Sequence, residues 1–166
     1  MKSIERREQI IKILVSSNEA IKGVDLANRF NVTRQVIVKD IAILRASGKN
    51  IIATPDGYIY NKDVNRVKAI IAVNHTSEKT IEELEIVVKY GGIIEDVIIE
   101  HPLYGEIRGN LMIKNLNDLN KFEKVFKEVS PLSNLTNGIH LHTISVDSKE
   151  NMESIKLELK EKGFSL

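Results

Sequence analysis

The sequence predicts an α+β protein in two parts, and three observations lead to that class. Apolar residues recur at helical spacing through the first fifty or so positions, shorter strand-like and helical runs alternate from Arg66 onward, and the charge changes sign between the two stretches. Residues 1–62 carry 11 Lys/Arg against 6 Asp/Glu, a balance of +5, while residues 63–166 carry 13 against 17, a balance of −4. A basic front part joined to an acidic back part points to a polyanion-binding module followed by a domain of another kind. No apolar run approaches the roughly 18 residues that span a bilayer, and the start "MKSIERREQI" lacks the apolar core of a signal peptide. The expected compartment is therefore the cytoplasm. The absence of cysteine removes disulfide frameworks, thiolate zinc sites and cysteine nucleophiles together, so any metal must be held by histidine, carboxylate or water.

Each front element follows from its own signals. "SIERREQIIKILVSS" places apolar residues at 10, 11, 14 and 15 behind Ser3, an expected N-cap, and predicts a first helix. In "IKGVDLANRFNVTRQVIVKDIAILRASG" the apolar pattern breaks at "FNVT". Val24, Ala27 and Phe30 predict one short buried face before the break, and Thr33 is placed to cap a further helix with the stripe Ile37, Ile41, Leu44. Two helices joined this way form a helix-turn-helix. Thr33, Arg34, Gln35 and Lys39 lie at the start of the second helix and off its stripe, where a recognition helix presents base-reading and phosphate-contacting side chains. "NIIATPDGYIYN" predicts a β-hairpin, which completes a winged helix. A small helical dimerisation module is the bland alternative, but helix order, wing and charge favour double-stranded DNA as the partner. The acidic Asp56 would weaken a phosphate contact at the wing. "LANRFNVTRQVIVKDIAILRASG" resembles the winged-helix domain at the start of bacterial repressors and biotin-ligase repressors. Fusion to a ligase is disfavoured, because no glycine- and arginine-rich loop followed by Trp occurs and the chain has no Trp.

In the back part "RVKAIIAVNH" predicts a strand and "SEKTIEELEIVVKYGG" a helix with a Ser start and a Gly-pair end. "IIEDVIIEH" and "GEIRGNLMI" predict two strands joined by a turn, "NLNDLNKFEKVFKEV" a second amphipathic helix, "IHLHTISVD" a fourth strand, and "SKENMESIKLELKEKG" a last helix. The order βαββαβ with an added helix is the ferredoxin-like arrangement, expected over 63–166. There the first and fourth strands are antiparallel neighbours, so His75 at the end of one meets His140 and His142 at the start of the other. Side chains at i and i+2 of a strand share a face. Beyond His75, Glu82, Glu83 and Glu85 offer a fourth ligand that spacing alone does not select. Three imidazoles and a carboxylate suit zinc, nickel or iron(II); an ordinary solvated strand surface is the alternative for the His-x-His pair. His101 falls in the turn between the second and third strands, expected at the opposite end of the sheet. It would cap that hairpin, or join Tyr104 and Arg108 in an effector pocket or subunit contact, where Arg108 could pair a carboxylate.

Taken together, "TRQVIVKDIAILRASG", "IIATPDGYIY", "VNH" with a Glu eight residues later, "EHPLYGEIRG" and "GIHLHT" resemble the nicotinate-responsive repressors of NAD biosynthesis, which join a winged helix to a three-histidine domain. The match spans essentially the whole chain. The resemblance implies a homodimeric repressor that binds a divalent metal and takes nicotinic acid as corepressor. Carried over residue by residue, it implies His75, Glu83, His140 and His142 as metal ligands. Two other functions compete: a metal-sensing repressor, and a metalloenzyme with a DNA-binding appendage. Against the enzyme, four protein ligands close the coordination sphere, and no separate nucleophile or acid–base constellation accompanies them.

Overall fold

The computed structural model describes residues 2–62 and 65–166. The chain forms two compact units, Met1–Val64 and Asn65–Leu166. The junction expected after Lys62 falls at positions 63 and 64, outside the described residues.

The first unit runs α1 (Ser3–Ser16), α2 (Gly23–Phe30), α3 (Arg34–Ala46), β1 (Ile51–Thr54) and β2 (Gly57–Tyr60). Its core joins Ile10 and Leu14 of α1, Leu26 and Ala27 of α2, and the stripe Ile37, Ile41 and Leu44 of α3. Thr33 caps α3 as its sequence position predicts, its side chain accepting from the Val36 N–H. Ser3 does not cap α1; the Glu5 carboxylate takes the Lys2 N–H at 3.1 Å instead. Val24 is 47% exposed, and Leu26 takes the buried place expected of it. Asp40 lies inside the α3 stripe, 2% exposed. It is tolerated there because Arg6 and Arg7 of α1 reach its carboxylate at 2.6 and 3.3 Å.

The hairpin turns over Pro55 and Asp56, with Thr54 paired to Gly57. Ile21 and Tyr58 exchange both backbone hydrogen bonds at 2.9 Å, which ties the segment before α2 to the wing. Gly57 is required there: its φ is +132°, and a Cβ would stand 2.4 Å from the Ile21 carbonyl oxygen.

The second unit runs β3 (Val67–Asn74), α4 (Thr80–Lys89), β4 (Ile93–His101), β5 (Gly105–Ile113), α5 (Leu116–Phe126), β6 (Ile139–Val146) and α6 (Lys149–Glu161). This is the βαββαβα order read from the sequence. The sheet order is β3-β6-β4-β5 with every neighbouring pair antiparallel. The usual ferredoxin-like sheet has its last strand at an edge; here β6 is interior and β3 is the outer strand. The adjacency on which the histidine expectation depends is present, since β3 pairs β6 from Val67↔Val146 to Asn74↔Ile139. The chain end covers part of the outer edge of β3, where Asn74 N–H donates to the Phe164 carbonyl and Leu166 N–H to that of Ala72, both at 3.0 Å. Leu84, Val87, Ile94, Ile144, Val146, Ile155, Leu159 and Phe164 form the core between the sheet and its helices.

The expected place of His101 is also overturned. β3 and β4 are both antiparallel to β6 and therefore parallel to each other, with Ile98 of β4 opposite Leu141 of β6. The turn holding His101 thus stands at the end where β6 begins, the same end as His140. The crossover through α4 returns the chain to its starting end, so β4 must run in the direction of β3.

Candidate metal centre and recognition helix

His140 and His142 project from alternate positions of β6 onto the face that continues into the core through Ile144 and Val146, and both are 3% exposed. His75 follows β3 directly and is 9% exposed. A single 3₁₀ turn, Ser77–Lys79, precedes α4. Helical phase then separates the three glutamates. Glu83 is buried with Thr80, Leu84 and Val87, whereas Glu82 and Glu85 face outward. That phase is written in the sequence, where Thr80, Leu84 and Val87 outline the stripe into which Glu83 falls.

The Glu83 carboxylate is fully buried and receives all three imidazoles through Nε2. His75 and His140 meet Oε2, the latter at 3.4 Å, and His142 stands 3.2 Å from Oε1. The ligand atoms of His75, Glu83 and His140 lie within 4.8 Å of one another. Each Nδ1 is held by a backbone carbonyl: His75 by Thr76 at 2.8 Å, His140 by Gly138 at 2.8 Å and His142 by Asp96 at 2.5 Å. A carbonyl can only accept, so each Nδ1 carries a hydrogen, and each Nε2 is turned toward Glu83, where it donates to the carboxylate when the ring is protonated and would offer a lone pair to a cation when the ring is neutral. This is the outer arrangement that orients histidine ligands of a metal.

Electrostatics favour protonated rings while no cation stands among them. Burial would lower the pKa of His75 and His142, but the adjacent Glu83 carboxylate more than offsets it and raises both. Burial would raise the pKa of Glu83, and the surrounding imidazoles hold it well below the usual carboxylate range. Without an ion, one carboxylate would need three protonated rings to satisfy every contact, a costly accumulation of buried positive charge. His142 Nε2 and Glu83 Oε1 are close enough to attract but are not aligned as a hydrogen bond, and both remain buried and unsatisfied. Orphaned donor atoms that converge in this way fit a divalent first-row cation. Phe164 closes one side, its ring 5.3 Å from that of His75. Neither Phe164 nor Asp96 carried a local sequence signal.

Thr33, Arg34, Gln35 and Lys39 are all exposed at the start of α3. His101 Nδ1 accepts from the N–H groups of Leu103 and Tyr104 at 3.1 and 3.4 Å, the hairpin-capping role considered for it. Tyr104 is 71% exposed, with its ring centroid 5.1 Å from that of His101. Arg108 is paired with Asp96 and, at 3.3 Å, with Glu106.

Residues 68–166 match the 3H domain family. The chain belongs to that family. An HTH domain also matches residues 6–59, so the 3H domain follows a DNA-binding type of module. The chain is 46% identical over 162 residues to the probable transcription repressor NiaR of Thermotoga maritima, covering 96% of this chain and 93% of that protein. It is 36% identical over 165 residues to the transcription repressor NadR of Bacillus subtilis, covering 96% and 92% respectively. Both relatives are named as transcription repressors and neither as an enzyme, which sets the metalloenzyme alternative aside. Among the described residues, no helix of this 3H-domain protein is long and apolar enough to cross a membrane.

Proposed function

We propose that this 3H-domain protein is a cytoplasmic transcription repressor of NAD-biosynthesis and niacin-uptake genes. It binds double-stranded operator DNA as a homodimer, holds zinc, nickel or iron(II) in its C-terminal unit, and takes nicotinic acid as corepressor. The observation that carries this reading is the convergence of three Nε2 atoms on the buried Glu83, with every Nδ1 tied to a backbone carbonyl.

His75, Glu83, His140 and His142 would hold the ion. When bound, it would supply a Lewis-acid position to which the ring nitrogen or carboxylate of nicotinate can coordinate. The protein's own part is to present neutral imidazoles and exclude water around Glu83. The direction of β4 supports effector contacts at His101, Tyr104 and Arg108, because the hairpin stands at the histidine end of the sheet. There Arg108 could exchange its exposed partner Glu106 for the effector carboxylate. Effector binding favours the dimer arrangement in which two α3 helices meet successive major grooves, about 34 Å apart. At the front of α3, Arg34, Gln35 and Lys39 supply the contacts, with Thr33 beside them as cap.

The test is operator binding by metal-loaded protein with and without nicotinate, at one salt concentration because phosphate contacts make affinity salt-dependent. A rise in affinity that chelation abolishes is the expected result. Binding that depends on metal but ignores nicotinate would favour the metal sensor, a reading supported by the near-complete burial of the four ligands.

A further inference from the structure

We propose that Asp96 is a positioning residue for the metal centre, acting on His142 through its backbone and its side chain together; this rests on the metal reading above. The strand pairings set it apart. Between Ile94↔Ile144 and Ile98↔Leu141, β4 advances four residues while β6 advances three. Between Ile94↔Ile113 and Asp96↔Asn110, β4 advances two while β5 advances three, and there Met112 takes a positive φ of 52°. Asp96 therefore sits where the ladder is irregular toward both neighbouring strands. Such bulges disrupt pairing locally and re-aim the chain, and they are over-represented next to functional sites.

Each acceptor oxygen of Asp96 is used at this break. Its carbonyl oxygen accepts the His142 Nδ1–H at 2.5 Å. Its Oδ1 accepts the Thr143 N–H at 2.8 Å, so a side chain stands where a strand carbonyl would otherwise serve. Its Oδ2 takes the Arg108 guanidinium, which also reaches Thr143 Oγ1 at 3.4 Å. The residue is 4% exposed, so the carboxylate has no alternative in water. Anchored at both oxygens to the residue next to His142 and to β5, the carboxylate holds the carbonyl that fixes the tautomer and tilt of His142. Partners of this kind set ligand basicity, and losing one typically weakens metal binding 10–100-fold.

Cobalt(II) is the probe, because its visible absorption bands report ligand geometry and a competing chelator reports affinity. Asp96→Ala should bind Co²⁺ roughly 10–100-fold more weakly with shifted bands. Asp96→Asn keeps an acceptor for Thr143 N–H but loses the charge facing Arg108, so it should fall between Asp96→Ala and the unaltered protein; it also decides the matter if Asp96→Ala does not fold. The control is Arg66→Ala, which removes a pair with Asp147 at the far end of the sheet and should lower thermal stability without moving the bands. Asp96 variants with unchanged affinity and bands would overturn the positioning role and leave the metal reading standing. Loss of affinity with unshifted bands would make Asp96 merely structural and also overturn it. An unaltered protein that takes up no Co²⁺, Zn²⁺ or Ni²⁺ would overturn both.

Discussion

In the metal-free protein, folding shifts His75 and His142 above the ordinary imidazole value of 6.5 and Glu83 well below the carboxylate value of 4.5. For the two histidines the protonated form is favoured by folding, so their contribution is fully present below about pH 6.5 and lost as pH rises through the folded values. For Glu83 the ionised form is favoured, so its contribution is present above about pH 4.5 and lost as pH falls through its folded value. This cluster therefore stabilises the metal-free protein most between those limits. A bound metal would reverse the histidine half, because coordination requires neutral rings and releases their protons. The melting midpoint of metal-free protein is expected to fall as pH rises above about 6.5, and that of zinc-saturated protein to rise over the same direction of pH as the rings lose their protons. Circular dichroism melts would check both trends; parallel curves would contradict the assignment. Joint His140→Ala and His142→Ala substitution should abolish metal content measured by elemental analysis, and full retention would refute the site.

Within the first unit, α3 combines two separable tasks, and substitutions should part them. Arg34 is exposed at the first position of the helix, so Arg34→Ala is expected to weaken operator binding by about 1–3 kcal/mol while metal content stays unchanged. Unaltered affinity in a fluorescence-anisotropy titration would remove Arg34 from the contact. Asp40 faces the opposite way and joins α3 to α1 through Arg6 and Arg7. Because both arginines keep some access to water, the cost of Asp40→Ala is placed at about 2 kcal/mol, below that of a fully buried pair. Urea unfolding would read it. The Thr33 cap is long, at 3.4 Å, so Thr33→Ala should cost about 0.5–1 kcal/mol. That loss is small enough for the variant to remain usable in DNA titrations.

The two units have separate apolar cores, one built on α1–α3 and the other on the sheet with its helices. A metal held at Glu83 would act on only one of them. Metal at about 100 times its dissociation constant should stabilise the 3H unit by about 2.7 kcal/mol and leave unfolding of the first unit unmoved. Domain-resolved hydrogen exchange would distinguish this from a uniform effect, in which amides of both cores slow equally. Nicotinate-dependent operator binding would add coupling between units, and linkage then requires that operator DNA tighten nicotinate by the same factor.

Much of this organisation was legible in the sequence because it is local. Helical periodicity gave the α3 stripe, Thr33 marked its start, the Pro-Asp-Gly turn gave the wing, and the spacing of His140 and His142 put both rings on one strand face. Repeated alternation of strand and helix likewise gave the βαββαβα order. Glu83 was recoverable too, from its place in the stripe of α4, although distance from His75 alone left three candidates open. Only the tertiary structure decided which strand lies inside the sheet, which end holds the His101 turn, and what stands behind each imidazole. Those outcomes depend on hydrogen-bond ladders between segments far apart in the chain. A bulge exists only as a mismatch between two paired strands, and a second-layer partner such as the Asp96 carbonyl belongs to a backbone group every residue carries; neither leaves a mark in the order of side chains.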